Sequence, residues 1–145
     1  MSHGHRSLLA FDFGKRRIGV AVGQEITRTA MALTTLAARE GQPDWEAVTR
    51  LIEEWRPNAL VVGMPYALDG TENEMTLAVK RFGNRLQGRY NLPVHYVDER
   101  LSSLEAERLL KEGAGKKFKE KGLIDRLAAQ LILQTWFDQQ TRGTA

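Results

Sequence analysis

There is no cysteine among the 145 residues, which excludes a disulfide framework and any zinc site built on thiolates. Long hydrophobic runs are missing too: no stretch approaches the length of a membrane span. The opening residues, Met1-Ser2-His3-Gly4-His5-Arg6, hold no apolar core of the kind a secretory signal needs, so none is expected. The three histidines make no ligand pattern; His3 and His5 sit at the terminus and His95 is isolated. Charge of one sign is also scarce. The net charge is +3 and the isoelectric point about 9.4, which favours a polyanionic partner only weakly. No internal repeat or interdomain linker interrupts the chain. The expectation is a cytoplasmic protein with one domain over residues 1–145, ordered over about 7–140.

What is present is a series of apolar segments divided by turn signals. Ser7-Leu8-Leu9-Ala10-Phe11-Asp12-Phe13-Gly14 has no polar face, the pattern of a strand covered on both sides. Its one carboxylate stands near the end, where an ionised group needs a cation, a donor set or a metal. The competing use of an Asp beside Gly is a turn or a cap. The basic turn Lys15-Arg16-Arg17 leads back into a second strand over residues 17–23. A third strand covers roughly 29–37, on its Thr and Leu content. Gly41-Gln42-Pro43 breaks the chain, and Pro43 suits the first turn of a helix over about 44–56. Trp45, Val48, Leu51, Ile52 and Trp55 lie on one stripe of that helix.

Residues 59–64 form a second wholly apolar strand, parallel and buried because a helix precedes it. Thr71 and Glu74 have capping-box spacing. They predict a helix over about 72–90 with Leu77, Val79, Phe82 and Leu86 inward, weakened at Gly83 and Gly88. Val94-His95-Tyr96-Val97-Asp98 is a short strand that again ends in acid, Asp98-Glu99-Arg100. Ser102 and Glu105 form another capping box for a helix over about 103–112. The Gly113–Gly122 stretch, with its lysine cluster, reads as a mobile loop. A last, strongly apolar helix covers about 123–140 with Asp125 in its first turn, and a short tail follows. The order predicts an α/β fold with a five-stranded mixed sheet, strand order 3-2-1-4-5, and helices on both faces. Three strands join by hairpins, and right-handed crossovers set the fourth beside the first.

Ligands of such sheets sit beyond the carboxyl ends of the strands. Side chains alternate along a strand, so Asp98 and Glu99 cannot easily face the same way; one of them can join Asp12. Asp125 enters from a helix start, where the helix dipole alone would favour an acid. Asp12, Glu99 and Asp125 together would make an oxygen-only cluster, which suits Mg²⁺ or Mn²⁺. Two such ions can activate water and stabilise the leaving oxygen of a phosphodiester. Basic residues nearby, among them Lys15, Arg16, Arg100, Lys116 and Lys117, would hold a nucleic-acid backbone. Acids for metal, bases for phosphate and no sulfur is the layout of a metal-dependent nuclease. Asp98 is left to orient Arg100 or a loop donor. Residues 61–64 carry no acid and read as core, with Gly63 and Pro65 shaping a floor for substrate.

Four segments carry a family resemblance: 11–14 through 17–21; Val61-Val62-Gly63-Met64-Pro65 with Asp69-Gly70-Thr71; Asp98-Glu99-Arg100-Leu101-Ser102; and Ile124-Asp125 with Ala128-Ala129 and Ile132-Leu133. In this order they resemble the YqgF/RuvX family over nearly the whole chain. Departures are confined to Met64 and the loop residues Tyr66-Ala67-Leu68. The resemblance implies an RNase H-like fold and a nuclease that trims precursor 16S rRNA during ribosome maturation. Its acidic positions fall on Asp12, Glu99 and Asp125. It also implies kinship with Holliday junction resolvases, so the partner would be an rRNA precursor in a pre-ribosomal particle or, alternatively, branched DNA. Symmetric junction cutting normally requires a dimer, and no dimer stripe is evident. A non-catalytic, ribosome-associated RNA-binding factor is the alternative of another class. Asp12-x-Gly14 with Gly19 also resembles the phosphate hairpin of actin-like folds, but those need a second domain for which 145 residues leave no room.

Overall fold

A computed structural model describes residues 6–67, 69–101 and 122–143. The expected helix over 103–112, its capping box, the 113–121 loop, and Lys116 and Lys117 lie outside the described residues. Strand β1 (Ser7–Asp12) turns through the basic tip into β2 (Arg17–Gln24), which pairs with β3 (Thr29–Arg39). A two-residue strand β4 (Gln42–Pro43) precedes helix α1 (Trp45–Trp55) and strand β5 (Ala59–Met64). Helix α2 (Glu74–Tyr90), strand β6 (Val94–Asp98), a 3₁₀ turn (Glu99–Leu101) and helix α3 (Leu123–Gly143) complete the described chain.

The sheet order is β4-β3-β2-β1-β5-β6. The hairpin strands are antiparallel, and β5 and β6 run parallel beside β1. This is the expected mixed sheet with one correction: it has six strands, not five. Ala38 and Arg39 pair with Pro43 and Gln42. Pro43 therefore does not open a helix. It lies buried on an edge strand, where its missing N–H costs no ladder bond. Asp44 caps α1 instead, its Oδ1 accepting from the Ala47 N–H at 3.2 Å.

Alternation along β1 assigns the two layers. Leu8 and Ala10 pack with Val61, Ala128, Ile132 and Phe137 under α3. Leu9 and Phe11 pack with Val48, Val62, Phe82 and Leu86 under α1 and α2. Both faces are covered, which is why the strand has no polar side.

Helix α2 departs from its expected start. The cap is Asn73, not Thr71: Asn73 Oδ1 accepts from the Thr76 N–H at 2.9 Å, and Thr76 Oγ1 accepts from the Asn73 N–H at 3.1 Å. Thr71 is occupied by Asp69, to which it donates from both N–H and hydroxyl. Leu77 lies off the buried row of the helix and is 47% exposed, while Val79, Phe82 and Leu86 are buried as expected. Gly83 is more than a weak helix former. A Cβ there would meet the Tyr96 hydroxyl at 2.0 Å, so the missing side chain seats β6 against the helix.

Candidate active site

Continuing the alternation past Leu8 and Ala10 puts Asp12 on the α3 face, at the carboxyl end of β1. It is one of two buried polar residues, only 7% exposed, among the described residues. Both strands that flank it present a glycine. On β2, Gly19 pairs directly with Asp12, and Thr35 of β3 pairs with Gly19. On β5, Gly63 comes one residue beyond the Phe11–Val62 pair. Adjacent positions on such a rung lie about 5 Å apart at Cβ. Neither glycine leaves a void.

Over Gly19 lies the start of α3. A Cβ on Gly19 would fall 1.8 Å from the Asp125 carbonyl oxygen, so only glycine admits the helix there. Thr35 secures the same end by donating from Oγ1 to the Gly122 carbonyl at 2.5 Å. Over Gly63 lies Glu99: its Oε1 is buried and stands 3.1 Å from where a Gly63 Cβ would be, beside Ile132. Glu99 does not extend β6; it opens the 3₁₀ turn, which frees its direction from the strand's alternation. The structure thus brings Asp12, Asp125 and Glu99 to three neighbouring strands on one face.

The carboxylates are not equally disposed. Asp125 Oδ2 accepts from Arg17 Nε at 2.9 Å, an ion pair between β2 and α3. Among the described residues, no three Asp, Glu or His side chains are gathered tightly enough to cage a metal. The three carboxylates offer only oxygen donors, one of them on a residue buried at the sheet rim, a donor chemistry that would suit a hard cation.

Asp98 faces Arg100. The Arg100 N–H and Nε donate to Oδ1 at 2.9 and 3.0 Å, and Nη2 donates to Oδ2 at 2.6 Å. Arg100 holds the Asp98 carboxyl below the usual carboxylate range, chiefly through these bonds. Its guanidinium lies over the Tyr66 ring at 5.5 Å and reaches Gly70, so it ties the 65–71 loop to β6. Of the other basic candidates, Arg16 is exposed at the hairpin tip, and Lys15 borders a cavity on the opposite face of the sheet. Arg17 was missed as a site residue; its adjacency to Asp125 depends on contacts 108 residues apart along the chain.

A family model described as "RuvX: Holliday junction resolvase" matches residues 6–139. The chain belongs to the RuvX family. Proteins of Yersinia pestis (strain Pestoides F) and Yersinia pseudotuberculosis (serotype O:1b, strain IP 31758), each named "Putative pre-16S rRNA nuclease", are 48% identical to it over 136 residues, covering 94% of this chain and 97% of each relative. In fold, this RuvX protein resembles Thermus thermophilus RuvC in a complex with a Holliday junction substrate, at TM-score 0.54 and 18% identity over 94% of this chain and 96% of that one. It also resembles the fowlpox virus resolvase bound to Holliday junction DNA, at TM-score 0.52 and 11% identity over 92% and 98%. The expected RNase H-like, resolvase-type fold is therefore present. The enzyme class is that of a nuclease, a hydrolase of phosphodiester bonds.

Proposed function

We propose that this RuvX protein cleaves the precursor of 16S rRNA, using Asp12, Glu99 and Asp125 to hold a pair of Mg²⁺ or Mn²⁺ ions. The observation that supports this is the rung Gly19–Asp12–Gly63, with Asp125 seated over one glycine and Glu99 over the other. Bound there, divalent ions would supply Lewis-acid stabilisation of the phosphodiester and an activated water.

The chain's own residues do the rest. Asp12 is fixed by its strand, and the Asp125 backbone is fixed against Gly19. Arg17 donates from Nε to Asp125 Oδ2, an ion pair that offsets the charge of this acid at the β2–α3 contact. Asp98 holds Arg100, which leaves that guanidinium beside Tyr66 at the loop where the backbone of a substrate would pass. The curated relatives named for pre-16S rRNA favour RNA as the substrate; on this reading the enzyme works on a maturing ribosomal particle in the cytoplasm.

Asp12→Asn, Glu99→Gln and Asp125→Asn should each lower cleavage of a precursor rRNA by at least a hundredfold in Mg²⁺ or Mn²⁺, with the unfolding temperature retained. Wild-type cleavage by any one of them removes that residue from the mechanism. The family's description favours four-way DNA junctions as a second reading. Parallel digestion of a junction and of the rRNA precursor decides between the substrates. RNA binding without cleavage under either metal would leave only a binding factor.

A further inference from the structure

We propose that the sheet face opposite Asp12 carries a second RNA contact: a cavity that takes one nucleoside flanking the scissile phosphate, edged by an arginine stripe that holds the adjoining phosphates. The inference deepens the nuclease reading above and rests on it.

A cavity of about 190 Å³ opens between the β3–β4 turn and α2, with Phe13 and Phe82 in its wall. The two rings lie 4.8 Å apart and are tilted by 35°. Pockets for drug-sized ligands are larger than this, so one ring system is the most it accepts. Phe13 follows Asp12 directly and, by alternation, faces the other way. A strand crossing the sheet rim at this point would touch Asp12 on one side and the cavity on the other. Lys15 stands at the same mouth.

Arg81, Arg85 and Arg89 follow one another at four-residue intervals, a single row on α2 with a rise of about 6 Å per step. Arg81 and Arg85 border the cavity. Arg85 Nη1 donates to Gln42 Oε1 at 3.1 Å, and the Arg89 guanidinium lies 4.2 Å over the Trp45 ring. These contacts position the row without neutralising it. Among the described residues, no ion pair engages Lys15, Arg81, Arg85 or Arg89, whereas Arg6, Arg17, Arg50, Lys80 and Arg100 each meet a carboxylate. A row of positive charges outside any ion pair is the electrostatic footprint of a phosphate backbone.

Glu40 and Glu74 line the cavity itself. Carboxylates there repel a phosphate and accept hydrogen bonds from ribose hydroxyls or exocyclic amino groups. The cavity therefore suits the nucleoside and the arginine row its phosphates. The 2′-hydroxyl is the group that makes RNA the better occupant.

The test is fluorescence anisotropy with a labelled single-stranded oligoribonucleotide, in the Asp12→Asn background so that nothing is cleaved. Adding Arg81→Gln and Arg85→Gln should weaken binding at least tenfold and flatten the salt dependence by about 1.4 in slope, the value for two lost phosphate contacts on a single strand. Adding Lys15→Gln alone should shift both in the same direction, and serves if the double variant does not fold. Glu40→Gln with Glu74→Gln should lower the preference for RNA over DNA of the same sequence. Affinity and slope equal to the Asp12→Asn parent in both basic variants would overturn the contact, and an unchanged RNA preference would overturn the nucleoside assignment. Wild-type cleavage by Asp12→Asn, read separately in Mg²⁺, would instead sink the catalytic reading, while the binding comparison, made in EDTA, would stand.

Discussion

Gly19 and the backbone of Asp125 are in direct contact: a Cβ on the first would lie 1.8 Å from the carbonyl oxygen of the second. The neighbour is main chain, so no side-chain rotation relieves the clash. Gly19→Ala should push the start of α3 off the sheet, cost about 1–3 kcal/mol and reduce cleavage at least tenfold. Urea unfolding and RNA cleavage measure the two effects. Gly88→Ala is the control. Its Cβ meets nothing within 4 Å, and helix propensity alone should stabilise it by about 0.5–1 kcal/mol.

Arg100 lowers the Asp98 pKa, which gives the stability of the protein an acid limb. A carboxylate with a depressed folded pKa contributes fully above its unfolded value of about 3.9. The contribution is lost as pH falls through the lower folded value. Arg100→Gln should raise the Asp98 pKa, seen by NMR titration of its carboxyl. The same change should broaden resonances of the 65–71 loop, which loses its anchor over Tyr66. An Asp98 titration identical to wild type would show that the pair is not formed in solution.

His95 has the opposite chemistry and the same slope. Burial pushes its pKa down, with the charge of Arg6 adding to it, and its ring lies 5.4 Å from Trp136. The folded state therefore binds fewer protons than the unfolded state between the lowered value and about 6.5. Stability is complete above about 6.5 and declines as pH falls below it. Unfolding temperature against pH should show this decline in wild type and a shallower one in His95→Phe.

Leu86 and Leu77 share α2 and differ in fate, at 0% and 47% exposure. Leu86→Ala should cost about 2–5 kcal/mol, while Leu77→Ala should stay within about 0.5 kcal/mol. Chemical denaturation of the two variants separates the buried row of the helix from its solvent row. Equal costs would mean that the helix is rotated from the orientation described.

Local pattern was enough for five of the six strands, for the three described helices and for the order in which those strands meet, but not for β4 or for the cap of α2. The apolar runs ending in Asp12 and at Met64 demanded cover on both sides, and the crossovers could close in only one hand. Acid at the ends of β1 and β6 was equally visible, because composition and position along a strand are properties of short segments. What needed the folded molecule was everything decided by register between distant segments. That Gly19 and Gly63 flank Asp12, that α3 rests on one and Glu99 on the other, and that Arg17 finds Asp125 all follow from ladder pairing and helix docking. So does the cavity beside Phe13, whose basic edge is drawn from a hairpin tip and from one row of α2. A chain's near neighbours determine which conformation each segment prefers; which side chains then share a rung is decided by packing against residues a hundred positions away.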